Sequence, residues 1–147
     1  MLLGEYQHNI DEKGRLIIPT KFREELKTNF IITKGLEKCL CIYTMDSWQR
    51  LVKDISNLSF AKKDVRTFKR FFFANASECE LDKSGRINIA TSLINYALLK
   101  KECMVIGVYD HVEIWDKEVY IELMDSNSEV ISDITENLFE GAKDETL

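Results

Sequence analysis

Long hydrophobic runs are missing from this sequence, and their absence bears on where the protein works. Apolar stretches such as Phe71-Phe72-Phe73 are far too short to cross a bilayer, so no contact with a membrane is expected. The first residues, MLLGEYQ, have neither a basic start nor a long apolar run. No signal peptide is therefore predicted, and the cytoplasm is the expected location.

Local motifs for metal binding are missing as well. The four cysteines, at positions 39, 41, 79 and 103, form no Cys-x-x-Cys pair, and neither His8 nor His111 stands at a metal-ligand spacing from them. Cys39 and Cys41 alternate in a strand-like run, which places both thiols on one face. Reduced, packed cysteines are favoured over a zinc site. No metal, cofactor or small-molecule substrate is predicted.

An excess of basic charge is also missing, because the net charge is −5 at pH 7. This argues against a protein that covers nucleic acid non-specifically through an overall positive charge. From residue 125 to the end there are seven acidic residues and one lysine, so the acidity belongs to the tail and the rest is near balance. Val130, Ile134 and Leu138 recur at helix-like spacing, so the tail is either a partly ordered helix or a disordered end. No role is assigned to it.

The sequence does contain a duplication. The stretch NIDEKGRLIIP at residues 9–19 returns as ELDKSGRINIA at residues 80–90, and Leu40–Tyr43 aligns with Val112–Trp115. The predicted organisation is a first repeat at 5–47, connecting helices at 48–75, a second repeat at 76–119 and an acidic tail at 120–147.

Both repeats predict one order of elements: strand, turn, strand, short helix, two strands and a further helix. In the first repeat, Pro19 opens the short helix, and Asp46 is the predicted N-cap of the later one. The predicted strands of this repeat are Glu5–Ile10, Arg15–Ile18, Phe30–Thr33 and Cys39–Tyr43.

A basic amphipathic helix is predicted between the repeats, at Ser59–Phe73. A solvated connector lying on the core is its favoured role. Direct contact with phosphate and a subunit interface are the alternatives.

The repeated turn accounts for its own aspartate and glycine. Asp at the first position accepts hydrogen bonds from backbone amides that follow, and Gly at the fourth position takes a positive φ. These framing residues are Asp11, Gly14, Asp82 and Gly85. Arg15 and Arg86 are not needed to form the turn. A bidentate pair with the aspartate would hold each guanidinium in one orientation, and guanidinium suits phosphate oxygens and guanine edges.

An enzyme is the first rival interpretation, with Asp11 and Asp82 as a carboxylate dyad. Each of these residues has an arginine four positions later and a role in its turn. No Ser-His or Cys-His arrangement is evident either. A binding protein is therefore favoured.

Together these stretches resemble the MraZ family, a bacterial family of the AbrB-like swapped-hairpin class. The resemblance covers about residues 1–122, and the duplicated Asp-x-x-x-Arg motif is its most specific part. The supporting stretches are Gly4–Tyr6, Ile10–Pro19, Lys21–Arg23, Phe71–Phe73, Glu78–Asp82 and Val105–Trp115.

The resemblance implies an α+β fold in which two swapped-hairpin β/α repeats form a pseudo-dimeric, β-barrel-like core with peripheral helices. It implies subunits that assemble into a ring. It also implies a sequence-specific, nucleoid-associated transcriptional regulator of the division and cell-wall gene cluster. Such a regulator binds double-stranded DNA at tandem promoter repeats ahead of its own gene. The residues expected at DNA are Lys13, Arg15, Lys83 and Arg86, with Lys21 and Arg23 as further bases.

The two repeats are not identical, so they are not expected to contribute equally to DNA contact. Ala90 replaces Pro19, and the second repeat lacks the bases that Lys21 and Arg23 add to the first. The first repeat is therefore expected to contribute more to DNA contact. The alternative function is an antitoxin-like or protein-interaction module without specific DNA binding, since the hairpin class also serves there.

Overall fold

The computed structural model describes the backbone of residues 1–146 and the side chains of residues 1–141. Two compact units divide the chain, Met1–Lys117 and Glu118–Leu147. The first contains antiparallel sheets with helices, and the second is helical. The predicted α+β class is confirmed.

The first unit holds eight strands in two sheets. Their bounds are β1 Leu2–Asn9, β2 Arg15–Ile17, β3 Phe30–Lys34, β4 Leu40–Thr44, β5 Ser77–Cys79, β6 Arg86–Asn88, β7 Glu102–Tyr109 and β8 His111–Asp116. Six of them form an antiparallel sheet in the order β1-β7-β8-β4-β3-β5, while β2 pairs only with β6 among the described strands.

A closed barrel is not formed by the described residues, so the expected barrel-like core is corrected. Strands β1 and β5 lie at opposite edges of the large sheet, and no ladder joins them. β5 has three residues against eight in β1, and the short strands β2 and β6 pair with each other instead of extending the sheet. The sheet therefore stays open.

The first unit also holds four helices, and two more follow. Their bounds are α1 Thr20–Leu26, α2 Met45–Ser56, α3 Lys63–Phe73, α4 Thr91–Tyr96, α5 Lys117–Asn127 and α6 Ile131–Thr146. The basic helix between the repeats is present as α3, which begins four residues later than predicted. Of the two possibilities for the tail, the helix is the one observed.

The predicted cap at Asp46 is wrong. β4 continues to Thr44, and α2 begins directly behind it. The Thr44 hydroxyl oxygen then accepts the amide of Ser47 at 3.1 Å, so Thr44 is the N-cap.

Both repeats contribute to one core in the first unit. Leu16 of β2 and Ile87 of β6 are almost fully buried and lie opposite each other in the ladder. Phe22 and Leu26 lie one turn apart on α1 and are both buried, as their spacing predicts. β3 is buried on both faces over its first four residues, which its unbroken run of Phe, Ile, Ile and Thr favours.

None of the helices in the described part of the chain combines the length and hydrophobicity that crossing a membrane requires.

Candidate nucleic-acid interface

The first tip is the turn between β1 and β2, and its backbone closes as the sequence predicts. The Gly14 amide donates to the Asp11 carbonyl at 3.0 Å, and the Asp11 amide donates to the Arg15 carbonyl at 3.0 Å. Gly14 has φ of +79°, which lies in the left-handed region that glycine adopts without strain.

The second tip, between β5 and β6, has nearly the same geometry. The Gly85 amide donates to the Asp82 carbonyl at 3.0 Å, and the Asp82 amide donates to the Arg86 carbonyl at 2.9 Å. Gly85 has φ of +76°. The repeated sequence therefore builds the same turn twice.

The Asp11 carboxylate organises the first tip. Its Oδ1 accepts the amides of Lys13 and Arg15, each at 2.9 Å, and its Oδ2 accepts Arg15 Nε at 2.7 Å. The expected bidentate pair of side chains is thus replaced, because backbone amides occupy one oxygen. The guanidinium is held through Nε, and its terminal nitrogens keep their capacity to donate to a ligand.

Asp82 makes the matching contacts at the second tip. Its Oδ1 accepts the amides of Ser84 at 2.8 Å and Arg86 at 2.9 Å, and its Oδ2 accepts Arg86 Nε at 2.9 Å. Each tip therefore holds its arginine in the same way.

Hydrogen bonds from the tip keep both aspartates ionised. The Arg15 amide, with further bonds from the Arg15 side chain and the Lys13 amide, lowers the pKa of Asp11 below its ordinary value. The amide of Arg86 is the leading cause of the lowered pKa of Asp82. A lowered carboxyl pKa contributes stability above the ordinary value and loses it as pH falls through the lowered one. The hydrogen bonds of both carboxylates therefore contribute their stability at neutral pH.

Pairing of β2 with β6 brings the two tips together. Arg15 lies opposite Asn88, and Ile17 lies opposite Arg86. The Ile89 amide donates to the Gly14 carbonyl at 2.7 Å, and a matching bond joins the Ile18 amide to the Gly85 carbonyl at 2.9 Å. Since side chains alternate along a strand, Leu16 and Ile87 face the core while the two arginines share the opposite face.

A charge contact also crosses from one tip to the other. Arg86 Nη1 lies 4.0 Å from Asp11 Oδ2. The arginine side chains remain 35% and 29% exposed, for Arg15 and Arg86 respectively. We call the exposed face of β2 and β6, with Arg15, Ile17, Arg86 and Asn88, the tip surface.

Arg23 lies at the tip of the other repeat. Its Nε donates to the Ile18 carbonyl at 2.8 Å, and its guanidinium fills the space where a side chain at Gly85 would begin. At Gly14 the corresponding space is approached by Ile94, which is the counterpart of Arg23 in the duplication. The sequence assigned Arg23 to the first repeat, and no local signal placed it at the tip of the second.

The three lysines expected at DNA are all exposed. Lys13 and Lys83 lie within the two tip turns, and Lys21 lies in the first turn of α1. The charges of Lys13 and Lys83 therefore lie on the turns that carry the arginines.

Comparison with known families assigns both halves of the chain to one family. The family model described as "MraZ protein, putative antitoxin-like" matches residues 1–71 and again residues 72–141. The chain belongs to the MraZ family. Membership indicates a regulator of the division gene cluster, in a family of regulators rather than enzymes.

In this MraZ family member, one substitution can test the side-chain bond between Asp11 and Arg15 while keeping the backbone of the turn. Asp11→Asn keeps an oxygen for the amides of Lys13 and Arg15 but loses the acceptor for Arg15 Nε. We expect a preserved fold and faster hydrogen exchange with water at Arg15 Nε, measured by NMR.

Asp46→Asn is the matched control, since Asp46 is exposed and lies away from the tips in the first turn of α2. Unchanged exchange at Arg15 Nε in Asp11→Asn would show that the carboxylate does not hold the guanidinium.

Proposed function

We propose that this protein is a sequence-specific DNA-binding transcriptional regulator of the division and cell-wall gene cluster. It binds tandem repeats in the promoter ahead of its own gene, at the nucleoid, through the tip surface of a ring-like homo-oligomer. The observation that carries this proposal is that Arg15 and Arg86 lie on one face of β2 and β6, each held by its own aspartate.

Arginine in this setting suits DNA. A guanidinium donates two parallel hydrogen bonds to guanine O6 and N7 in the major groove, or to phosphate oxygens. Because each guanidinium is already oriented through Nε, less conformational entropy is lost when it binds. Lys13 and Lys83 supply positive charge for phosphates beside each arginine.

Arg23 adds a further positively charged side chain to the second tip. Its guanidinium lies against Gly85, so the second tip combines Arg86, Arg23 and Lys83. The first tip combines Arg15 and Lys13. The expectation that the first repeat contributes more to DNA contact stays a prediction. In space, however, Arg23 of the first repeat is grouped with the basic side chains of the second tip.

Assembly into a ring supplies the affinity that one subunit lacks. A chain of net charge −5, whose acidity is concentrated after residue 125, attracts DNA weakly through its overall field. Several tip surfaces held at a fixed spacing engage adjacent repeats together, and the effective concentration of the second tip raises affinity without new contacts.

A promoter-binding assay tests the function. We expect the protein to retard the fragment upstream of its own gene and not a shuffled fragment of equal length. Affinity should fall by about half a decade for each phosphate contact between 50 and 200 mM salt. Footprinting should protect tandem repeats, and a mass measurement in solution should report the oligomer.

The second candidate is an antitoxin-like or protein-interaction module, which the wording of the family description favours. Such a module would treat the upstream fragment like the shuffled one. Equal retardation of both fragments across the salt range would therefore reject sequence-specific regulation and favour this candidate.

A further inference from the structure

We propose that four side chains, two from each repeat, bind a thiophilic transition-metal ion, for which Zn²⁺ is the natural probe. They are Cys39, Cys41, His111 and Glu113. We call them the four-donor cluster. It lies on β4 and β8, with Cys39 directly preceding β4, and it shares no residue with the tip surface.

Strand pairing brings the four donors together. Cys41 lies opposite Glu113 in the ladder of β4 and β8, and Tyr43 lies opposite His111. His111 and Glu113 are two residues apart and share a face of β8, while Cys39 directly precedes β4 and lies two residues from Cys41. The two pairs also occupy equivalent positions in the duplication, since Leu40–Tyr43 aligns with Val112–Trp115.

Three of the four donors lie close enough together to hold one ion, and His111 lies beside them. The sulfurs of Cys39 and Cys41 and a carboxylate oxygen of Glu113 all lie within 4.8 Å of one another. His111 Nε2 lies 3.2 Å from Glu113 Oε2, which places the imidazole beside the other three donors. Both cysteines are buried, while His111 and Glu113 are partly buried.

Gly35 makes room for the two sulfurs. A Cβ atom at Gly35 would lie 2.6 Å from Cys39 Sγ and 3.1 Å from Cys41 Sγ. Any side chain there would push the thiols away. The backbone of the β3–β4 turn thus approaches the sulfurs closely enough to fix them side by side.

Neighbouring groups orient the nitrogen and oxygen donors. His111 Nδ1 lies 2.8 Å from Asp110 Oδ1, which can accept its proton and leave Nε2 with a lone pair for a metal. Trp115 Nε1 donates to Glu113 Oε1 at 2.9 Å, which leaves Oε2 as the oxygen nearer the imidazole. Tyr43 stacks on the His111 ring at a centroid distance of 5.3 Å. These contacts are the outer-shell partners that metal-binding histidines and carboxylates have.

The donor types select the ion. Two thiolates exclude Mg²⁺ and Ca²⁺, which prefer oxygen, whereas sulfur, imidazole and carboxylate together suit Zn²⁺. The four-donor cluster lines a cavity of about 290 Å³, whose other walls include Leu51, Phe68 and Phe72. The cavity gives an ion a way in, and its apolar walls limit water around the bound metal.

Cobalt binding tests the proposal, because Co²⁺ takes zinc sites and shows a thiolate-to-metal charge-transfer band. We expect reduced, metal-free protein to bind one Co²⁺ per chain with that band and to release it to Zn²⁺. Cys41→Ser should weaken the band, because one of the two thiolate ligands is gone. Cys79→Ser, which changes a cysteine outside the four-donor cluster, should keep it.

Asp110→Ala provides a second variant at an exposed position, in case the cysteine variants do not fold. Loss of this outer-shell partner should weaken Zn²⁺ binding by about 10-fold, measured by competition with a chromophoric chelator. A reduced wild-type protein without the charge-transfer band would overturn the proposal. So would an equally strong band in Cys41→Ser, or unchanged Zn²⁺ affinity in Asp110→Ala.

Discussion

Arg15→Ala is expected to abolish specific promoter binding while leaving the oligomer intact. Arg15 is held by Asp11 at an exposed tip, and its side chain contributes nothing to the buried core. Removing a bidentate contact to a base costs about 1–3 kcal/mol, which is about a 5- to 150-fold loss of affinity for each tip engaged. Because several subunits bind together, these losses multiply. Gel retardation of the upstream fragment measures the effect, and solution mass measures the assembly.

Arg50→Ala is the matched control, since Arg50 is an exposed arginine on α2 outside the tip surface. It should retain specific binding. Retardation of the promoter by Arg15→Ala at wild-type concentration would refute the assignment, and loss of the oligomer would make Arg15 an assembly residue. Arg86→Ala in the same assay tests whether the two repeats contribute unequally.

Leu16→Ala is expected to lower the free energy of unfolding by about 2–5 kcal/mol. Leu16 is fully buried on β2 and lies opposite Ile87, whose side chain is 1% exposed. Truncation leaves a cavity where the two repeats meet, and the surrounding strands cannot collapse into it without disturbing both tips. Denaturant unfolding measures the loss.

The neighbouring substitution Ile17→Ala supplies the control. Ile17 is on the same strand, is 37% exposed and points to the opposite face. It should change stability far less than Leu16→Ala. Equal losses in the two variants would mean that the buried face of β2 does not govern stability.

The tips could be predicted because their signals are local. An aspartate that accepts amides two and four residues later, and a glycine three residues later, make the same turn wherever they occur. Asp11 with Gly14 and Asp82 with Gly85 therefore formed as expected. Thr44 was missed as a cap because β4 ran one residue further than its apolar pattern indicated.

Contacts between distant segments could not be predicted in the same way. The local sequence of Arg15–Ile17 does not indicate that its partner strand is β6. The sequence around Arg23 likewise does not indicate that its side chain reaches Gly85. Sheet closure likewise depends on whether edge strands meet, which alternation along one strand does not encode. The pairing of Cys41 with Glu113 joins residues whose spacing matches no local metal motif, so the sequence favoured ordinary packed cysteines.

The ladders between repeats also govern when this chain can fold. β1 pairs with β7 along its whole length, from Leu2 with Tyr109 to Asn9 with Glu102. β2 pairs with β6, which also belongs to the second repeat. A chain emerging from the ribosome must therefore expose β1 and β2 until most of the second repeat has been made. Such long-range pairing slows folding relative to local contacts. The first repeat therefore lacks the partners of β1 and β2 until the second repeat has been made, and the tip surface, which needs both β2 and β6, cannot form before then.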